Sequence, residues 1–439
     1  RLVGSEMCIR DSRWWPGYLP LKIPSLLEGY LISAVADQLI EKILMKKIII
    51  TDVRAFVLEQ TGAGGDYHDR EKGHWLVDTL IATPMSAYPE YKQSRTSFGI
   101  NVMNSIVVEV EASDGTVGIS AGQGGAPACY MIEKHFKRFL VGQDPRKLNQ
   151  FWDQMYRSSR YYGGKGVPLW AISAVDIALW DLLGLLRQEP VYQMIGGATR
   201  DQIELYCTGI RPDVAQKAGF IGGKMPLPHG PSDRVEGLNA NVKQFRDMRE
   251  RVGPDFLLMA DCWMALDVSY AVDLAYALQE LGIYWLEEAL LPDDFDGHKI
   301  LKDRVPWMRW TTGEHEYTRY GFRKLIESRS VDILQPDVMW CGGLTELLRI
   351  SSMAAAYDIP VVPHGSGAYS YHFVITQPHC PFCEYLNTSP DCKSFPPVFG
   401  NMFINEQVPI NGKIKPTDDP GWGLKLNRES LNLIRPYIV

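Results

Sequence analysis

A repeat that begins after Arg200 restricts the fold more than any other feature of this sequence. Short apolar runs alternate there with amphipathic stretches of about ten residues, which is typical of successive βα units and a parallel sheet. The run at 257–260, Leu-Leu-Met-Ala, is apolar throughout, as expected for a strand buried on both faces. Eight such runs can be counted, at 203–207, 219–225, 256–262, 283–288, 308–314, 331–337, 359–364 and 382–386. The sequence therefore predicts an α/β fold built on a (β/α) barrel.

The part of the chain before this repeat reads as a smaller α+β domain. Its predicted elements are strands at 48–57, 104–111 and 116–120 and helices at 132–140 and 147–157, and a strongly apolar helix at 169–186 follows it as a hinge. The dipeptide Asp114-Gly115 separates two of these strands and is typical of a hairpin turn. We predict a capping domain over residues 45–165, a barrel domain over 166–395, and a C-terminal segment, 396–439, that returns to the cap.

Most of the barrel runs contain a titratable residue at or near their end. These residues are Asp261, Glu287, Glu314, Asp337, His364 and Glu384. They follow one another at intervals of 20 to 27 residues, each close to one βα unit. Because barrel active sites lie at the carboxyl ends of the strands, this spacing predicts that the six side chains surround one pocket.

Three of these acids, Asp261, Glu287 and Glu314, fall on consecutive strands. Neighbouring carboxylates repel unless a cation neutralises them, and all-oxygen ligation suits a hard ion such as Mg²⁺. A single acid after a strand more often caps the next helix or faces solvent, so the series is what favours a metal site. Glu288 also ends a run, but strand alternation turns it away from Glu287, and we interpret it as structural.

His364 and Asp337 end neighbouring runs and form a candidate general base. A histidine at a barrel mouth can meet a substrate, and a carboxylate on the adjacent strand can accept its second ring N–H and raise its basicity. The alternative is a core histidine that a neighbouring backbone group satisfies.

Composition excludes several classes of function. The formal charge is −7, the pI is about 5.8, and no basic run is interleaved with aromatic residues, so nucleic acid is not an expected partner. No uninterrupted apolar stretch reaches the roughly 20 residues of a membrane span. The eight cysteines are scattered, which fits reduced thiols in a cytoplasm, and the pair Cys380 and Cys383 lacks the second pair of a zinc site.

The first 44 residues differ from the rest of the chain. Their apolar stretch, 26–36, is interrupted by Glu28 and has no clear structural period. A secretory signal is one interpretation, because Ala34-Val35-Ala36 resembles a cleavage site, although the apolar segment is short and charged. Met45 leads directly into the first predicted strand, so we interpret residues 1–44 as a non-native or unstructured extension.

Motifs around these residues resemble the enolase superfamily, from about Lys46 to the C-terminus. They include Gly64-Gly-Asp-Tyr-His-Asp69, Ser94-Arg-Thr-Ser-Phe-Gly-Ile-Asn101, Asp261-Cys-Trp-Met264, Thr312-Gly-Glu-His315, Gln335-Pro-Asp-Val338 and Val362-Pro-His-Gly-Ser366. The resemblance implies a (β/α)7β-like barrel of the enolase type with an N-terminal α+β capping domain. It also implies a Mg²⁺-dependent hydro-lyase that acts on an acid sugar and forms a homo-oligomer.

The resemblance further implies a role for each candidate residue. Asp261, Glu287 and Glu314 are the implied Mg²⁺ ligands, His364 the base, Asp337 its orienting partner, and Glu384 a transition-state stabiliser that also binds substrate. His68 and Arg95, on loops of the cap, are implied substrate contacts. Many members carry Lys-x-Lys at the end of the second strand, whereas this chain has Lys224-Met225-Pro226. The absence of a second lysine base favours a dehydratase over a racemase.

The implied reaction is removal of the C2 proton of L-rhamnonate by His364 and loss of the C3 hydroxyl, which gives a 2-keto-3-deoxy acid. Dehydration of L-lyxonate or L-mannonate is an alternative, because a change at a distal carbon alters pocket contacts only modestly. A catalytically silent homologue that binds sugar acids is the alternative from another class.

Overall fold

The computed structural model describes residues 48–58, 73–92, 98–99 and 102–438 of the chain. An antiparallel sheet and a larger, mostly parallel sheet organise these residues. The predicted N-terminal extension and the predicted substrate contacts His68 and Arg95 lie outside the described residues.

The antiparallel sheet consists of β1 (Ile50–Leu58), β2 (Ile106–Ala112), β3 (Val117–Gly122) and β12 (Leu433–Ile434). Its strand order is β12-β1-β2-β3. As the sequence predicts, β2 and β3 form a hairpin, and in its turn the Asp114 carboxylate accepts a hydrogen bond from Thr116 N. Because β12 pairs with the end of β1, a strand from the C-terminal segment completes one edge of this sheet.

Helices connect and cover the antiparallel sheet. They are α1 (Trp75–Asp78), α2 (Gly125–Tyr130), α3 (Lys137–Leu140), α4 (Leu148–Ser159), α5 (Val167–Arg187) and α6 (Val191–Met194). A π-helical turn, Met131–Phe136, joins α2 to α3, and two 3₁₀ turns follow α1, at Pro84–Ala87 and Pro89–Tyr91.

Helix α5 is apolar on nearly all sides and is buried along most of its length. It packs against β2 and β3 and also against a helix of the barrel, Gly343–Ala355. Its length and composition would allow it to cross a membrane, but 78% of the qualifying stretch is buried inside the fold. Burial on all sides is the property of a core helix in a large domain.

The parallel sheet consists of β4 (Ile203–Thr208), β5 (Gly222–Pro226), β6 (Leu257–Asp261), β7 (Leu286–Glu287), β8 (Trp310–Thr312), β9 (Ile333–Leu334) and β10 (Cys383–Leu386). Its order is β10-β4-β5-β6-β7-β8-β9, and β11 (Lys413–Ile414) pairs antiparallel with β4. The predicted run 359–364 forms isolated parallel bridges, Leu334 with Val361 and Asp337 with His364. Since the last strand returns beside the first, the sheet curves into the predicted barrel of the enolase type, which the antiparallel domain caps.

The barrel interior holds a cluster of buried side chains. They are Tyr206, Met259, Trp285, Ile333, Val362 and Phe382. Each precedes a polar residue by two positions, and those residues are Thr208, Asp261, Glu287, Gln335, His364 and Glu384. Because side chains alternate along a strand, each polar residue lies on the same face as the interior residue before it. The apolar cluster therefore forms the floor beneath the mouth of the barrel.

The helices outside the barrel are α7 (Pro212–Lys217), α8 (Arg234–Val252), α9 (Val268–Ala277), α10 (Phe295–Arg304), α11 (Thr318–Ser328), α12 (Gly343–Ala355) and α13 (Ala368–Val374). Short 3₁₀ turns at Pro231–Asp233 and Gln279–Leu281 precede α8 and follow α9. Several barrel strands are shorter than their apolar runs, because a residue such as Ile283 is buried without joining the ladder. The predicted domain boundaries stay predictions.

Candidate active site

The polar residues at the mouth come from neighbouring strands in register. Strand pairing places Asp261 beside Glu287, and the bridge between Asp337 and His364 lies farther along the same sheet. Glu384, on β10, pairs with Tyr206 on β4, the first strand of the parallel sheet. The carboxyl ends of parallel strands meet at one end of a barrel, which is why residues far apart in sequence share one site.

Lys224, on β5, lies among three of the predicted acids. Its Nζ contacts Glu287 Oε1 and lies 3.0 Å from Glu384 Oε1 and 3.3 Å from Asp261 Oδ2. Burial lowers the pKa of Lys224, but the charges of Glu287, Glu384 and Asp261 outweigh burial and raise it well above the usual value. Lys224 is thus a fixed positive charge. A lysine inside an otherwise apolar strand, next to a strand that ends in an acid, is the sequence signal that indicates this pairing.

Glu287 is completely buried, and both of its carboxylate oxygens have partners. Oε1 contacts Lys224, and Oε2 accepts a hydrogen bond of 2.7 Å from Gln335 Nε2. Burial, followed by the charges of Asp261 and Glu384, raises the pKa of Glu287 to about 8 despite the opposing charge of Lys224. One lysine is therefore not enough to offset the negative charge around this carboxylate.

Glu314 follows β8 and faces two histidines. Its Oε1 lies 3.5 Å from His364 Nε2 and 3.8 Å from His315 Nε2. Burial raises the pKa of Glu314 to about 7; the two histidines lower it, and the charges of Glu288 and Asp261 raise it. Asp261 pairs with Glu287, and Glu314 follows the neighbouring strand β8, so the three predicted metal ligands lie at the ends of adjacent strands.

His364 and Asp337 form a hydrogen-bonded pair, with 2.8 Å between His364 Nδ1 and Asp337 Oδ2. The other oxygen of Asp337 accepts hydrogen bonds from Met339 N, at 2.7 Å, and from the Ser366 hydroxyl, at 2.8 Å. These two hydrogen bonds hold the Asp337 carboxylate in place independently of its contact with the imidazole. The other ring nitrogen, His364 Nε2, faces Glu314. Burial lowers the pKa of His364, but the surrounding carboxylates, Glu314 first, raise it well above its usual value.

Glu384 is held as a carboxylate in this structure. Its Oε1 contacts Thr208 Oγ1 and Lys224 Nζ, and its Oε2 accepts a hydrogen bond of 2.7 Å from Gly365 N. Burial raises the pKa of Glu384, but the charges of Lys224 and His364 and these hydrogen bonds lower it to about 2. The sequence leaves the protonation state of Glu384 open, whereas these contacts favour the ionised form.

A second histidine–carboxylate pair, His315 with Glu288, lies beside the first. Glu288 accepts hydrogen bonds from His315 N, at 3.1 Å, and at 2.7 Å from His315 Nδ1. Strand β7 ends at Glu287, and Glu288 has a φ of 44°, so the strand alternation that predicts it to point away from Glu287 does not apply to it. The sequence signal for this pair is the histidine that directly follows a predicted metal ligand. The Trp340 ring lies between His315 and His364, at centroid distances of 5.2 and 5.5 Å.

The donor set of the mouth fits a hard divalent cation. Asp261, Glu287 and Glu314 offer oxygen ligands. Burial, followed by neighbouring carboxylates, raises the pKa of the two glutamates, and a bound cation would favour their ionised forms. A second possible set of ligands is Glu288, Glu314 and His315. One ligand atom from each lies within 4.8 Å of the other two, and no other group of three acidic, histidine or cysteine residues in the described part of the chain is this close. Both oxygens of Glu288 accept hydrogen bonds from His315, and both oxygens of Glu287 have partners in Lys224 and Gln335, so a cation bound by either set would replace existing contacts.

Described residues of the capping domain reach the same end of the barrel. The Trp75 indole N–H donates to Asn387 O at 3.0 Å, and Ala82 N donates to Leu227 O at 2.7 Å. Phe98 makes an edge contact with Trp263, which follows β6, at a centroid distance of 5.4 Å. The cap therefore adjoins the mouth. The predicted contacts from His68 and Arg95 remain outside the described residues.

Comparisons with known proteins agree with this architecture. The N-terminal domain model of mandelate racemase / muconate lactonizing enzyme matches residues 80–196, and the enolase C-terminal domain-like model matches residues 212–430. The chain is 54% identical over 389 residues to L-rhamnonate dehydratase from Saccharopolyspora erythraea, an alignment covering 88% of this chain and 99% of that protein.

Solved structures give the same result. Rhamnonate dehydratase from Gibberella zeae complexed with Mg is 54% identical, with a TM-score of 0.85 and coverage of 88% of this chain and 97% of that one. The 3,6-anhydro-D-galactonate cycloisomerase from Zobellia galactanivorans is 27% identical, with a TM-score of 0.69 and coverage of 88% and 99%. With an antiparallel cap, a parallel barrel and a row of acids at its mouth, this chain belongs to the enolase superfamily.

Proposed function

We propose that this chain is a hydro-lyase that dehydrates L-rhamnonate to 2-keto-3-deoxy-L-rhamnonate with the help of Mg²⁺. The observation that carries the proposal is the His364–Asp337 pair, in which the second ring nitrogen of His364, Nε2, faces the buried carboxylate of Glu314. Identity of 54% to L-rhamnonate dehydratase over most of both chains supports the substrate.

Asp261, Glu287 and Glu314 are the proposed ligands of the cation. When bound, Mg²⁺ neutralises the charge that grows on the substrate carboxylate as the neighbouring carbon loses its proton. The buried, mutually repelling carboxylates favour this assignment. Lys224 supports the same end of the site as a permanent positive charge that contacts Glu287.

With the charge of Glu314 offset by the bound cation, His364 would be neutral, and its Nε2 would then take the C2 proton while Asp337 holds the ring by its Nδ1. The electron pair of the C2–H bond is first delocalised onto the substrate carboxylate as an enediolate. It then forms the C2–C3 double bond as the C3 hydroxyl leaves as water with the proton that His364 returns. The enol product then tautomerises to the keto acid. Protein groups act from one face, because Lys224 stays protonated and position 226 is proline.

His68, Arg95 and Glu384 are the proposed substrate contacts. Arg95 would supply the bidentate fork that suits carboxylate or hydroxyl oxygens. The ionised Glu384 would act as a hydrogen-bond acceptor in the free enzyme, and it would support the transition state as a donor only after taking up a proton.

We further propose a cytoplasmic homo-oligomer with no nucleic-acid or membrane partner. The seven described cysteines are free and buried, which fits a reducing compartment. The oligomer rests on the family resemblance, and light scattering on the purified chain would measure it.

The experiment that tests the function is a panel of hexonates and pentonates, with keto-acid formation measured with Mg²⁺ and again after EDTA. We expect L-rhamnonate to have the highest kcat/KM, and we expect EDTA to abolish turnover until Mg²⁺ is restored. A higher kcat/KM for L-lyxonate or L-mannonate would replace the substrate. Binding of sugar acids without keto-acid formation on any of them would show the silent homologue instead.

A further inference from the structure

Helix α12 begins without a capping side chain of its own, because its N-cap residue is Gly342. The first N–H groups of a helix have no partner within the helix and need acceptors from elsewhere. Here Gly342 N donates to the Ser173 hydroxyl at 3.0 Å, and Thr345 N donates to Asp176 Oδ2 at 2.9 Å. Both acceptors belong to α5. Side chains of α5, which packs on the antiparallel sheet, therefore provide the N-terminal hydrogen-bond acceptors of α12 in the barrel.

The fit at this junction is close. Gly343 has a φ of 81°, and a Cβ atom there would lie 2.5 Å from Asp176 Oδ2, so this position requires glycine. The Trp152 indole N–H donates to Gly342 O at 2.7 Å, and the Trp180 indole N–H donates to Thr345 Oγ1 at 3.0 Å. Side chains of α4 and α5 therefore hold residues 342–345 from several directions.

This segment directly follows the turn that carries Asp337. Asp337 O accepts hydrogen bonds from Trp340 N, at 3.1 Å, and from Cys341 N, at 2.8 Å, while its Oδ1 accepts one from Met339 N. Three backbone N–H groups of the turn therefore donate to Asp337, and the turn ends at Gly342. A shift of the start of α12 would therefore be transmitted through this short, hydrogen-bonded turn to the carboxylate that orients His364.

We propose that Asp176 is a positioning residue for the His364–Asp337 pair, acting from outside the barrel by fixing the start of α12. The inference rests on the proposed function, since His364 is the proposed base. Asp176 is 1% exposed and forms no ion pair within the described part of the chain. Burial raises the pKa of Asp176 to about 7, and its hydrogen bonds with Thr345 at the start of α12, together with the charge of Arg349, oppose that rise.

Asp181 provides a matched control on the same helix. It is 2% exposed, and its carboxylate also accepts hydrogen bonds from two backbone N–H groups, Ile119 N at 2.8 Å and Trp422 N at 2.9 Å. Those groups belong to the capping sheet and to the C-terminal segment, and neither belongs to the turn that carries Asp337. Loss of either carboxylate disturbs α5 similarly, but only loss of Asp176 releases α12.

The experiment compares Asp176→Ala, Asp176→Asn and Asp181→Ala with the natural chain, using kcat and KM for keto-acid formation together with hydrogen exchange of peptides covering 337–345. We expect Asp176→Ala to lower kcat by roughly tenfold or more, because a misplacement of about 1 Å can cost 10²-fold in rate. KM should stay within about twofold, because no substrate contact is lost. Asp176→Asn should recover much of kcat, since its amide oxygen can accept from Thr345 N. Asp181→Ala should keep kcat within about twofold.

Equal losses of kcat in Asp176→Ala and Asp181→Ala, or a rise in KM alone, would overturn the inference. If Asp176→Ala does not fold, Ser173→Ala, which frees Gly342 N, serves the same comparison with the same expected direction. If the natural chain forms no keto acid, the proposed function fails. Exchange then decides the inference alone: faster exchange at 337–345 in Asp176→Ala than in Asp181→Ala supports it, and equal exchange rejects it.

Discussion

Buried acids in the capping domain and buried acids at the barrel mouth have opposite surroundings. In the cap, Glu109 contacts both Arg54 and Arg428, and Glu133 contacts Arg435 at 2.6 Å and Lys137 at 3.6 Å. Each of these acids is matched or outnumbered by cations that remain charged at all ordinary pH values.

At the mouth, the ratio is reversed. The acids there are Asp261, Glu287, Glu288, Glu314, Asp337 and Glu384, and within the described chain their cationic partners are Lys224 and two histidines. An uncompensated buried charge is costly, so a fold selected for stability alone would not keep this excess. The cap uses its acids to hold the chain together, whereas the mouth keeps negative charge available for a cation.

The strongest test of this contrast is the response to Mg²⁺. We expect Mg²⁺ to raise the thermal unfolding midpoint by roughly several degrees, because a ligand that binds only the folded state stabilises it. Glu314→Gln should lose this response together with its activity, while Glu133→Gln in the cap should keep it. Differential scanning fluorimetry with and without Mg²⁺ measures the effect, and equal responses in the two variants would remove the contrast.

His364→Asn tests the chemistry of the mouth separately from its charge. Because asparagine cannot take up the C2 proton, we expect kcat to fall by about 10³-fold or more. The matched control is His372→Asn, since His372 is a buried histidine whose Nδ1 accepts from Tyr192 N and whose pKa burial lowers to about 3. This control should keep kcat within a few-fold. Substantial dehydration by His364→Asn would reject the assignment of the base.

In the cap, the expected effect concerns stability and not turnover. Glu133→Gln leaves Arg435 without its carboxylate, and we expect a loss of about 2 kcal/mol, below the usual value for a fully buried pair because the Arg435 side chain is 22% exposed. Glu111→Gln, at a pair with Arg54 whose carboxylate is more exposed than that of Glu133, should cost about 1 kcal/mol or less. Urea unfolding and kcat measured on the same samples decide the point, and a large loss of kcat in Glu133→Gln would contradict it.

Glu406 lies outside both the ion pairs of the cap and the group of acids at the mouth. Its substitution is expected to have the smallest effect, a change in how stability depends on pH. Burial raises its pKa to about 7, although its oxygens accept hydrogen bonds from Phe399 N and Val398 N. A pKa raised above the unfolded value of 4.5 gives stability that is present below pH 4.5 and is lost as the pH rises through 7. Glu406→Gln should reduce the difference in unfolding free energy between pH 5 and pH 8 by on the order of 1 kcal/mol. Urea unfolding at pH 5 and pH 8 measures it, with exposed Glu429→Gln as the variant that should change nothing.

Apolar periodicity predicted much of the fold because it reports burial, and burial is what barrel strands and the hairpin share. The hairpin around Asp114 and the chain order of the barrel strands were predicted correctly. The run 359–364 was predicted as a full strand but forms only isolated bridges, because a buried apolar segment does not have to pair along its whole length.

The site was less predictable where pairing depends on single side chains. The spacing of acids led to the mouth, but it gave no role to Lys224, whose significance depends on three carboxylates from other strands. The pairing of Glu288 with His315 depends on one left-handed residue after β7, and strand alternation carries no information about such a residue. Local patterns do not specify contacts between distant strands.

The edge strand β12 has a consequence for the order of folding during synthesis. Residues 433–434 pair with β1, and Arg428 and Arg435 then contact Glu109 and Glu133. Strands β1, β2 and β3 are translated before the barrel, and β12 is translated after it. The edge strand of the antiparallel sheet can therefore pair with β1 only after the barrel has been translated. Without residues 433–434, β1 lacks its β12 partner, so this sheet depends on the last-made part of the chain.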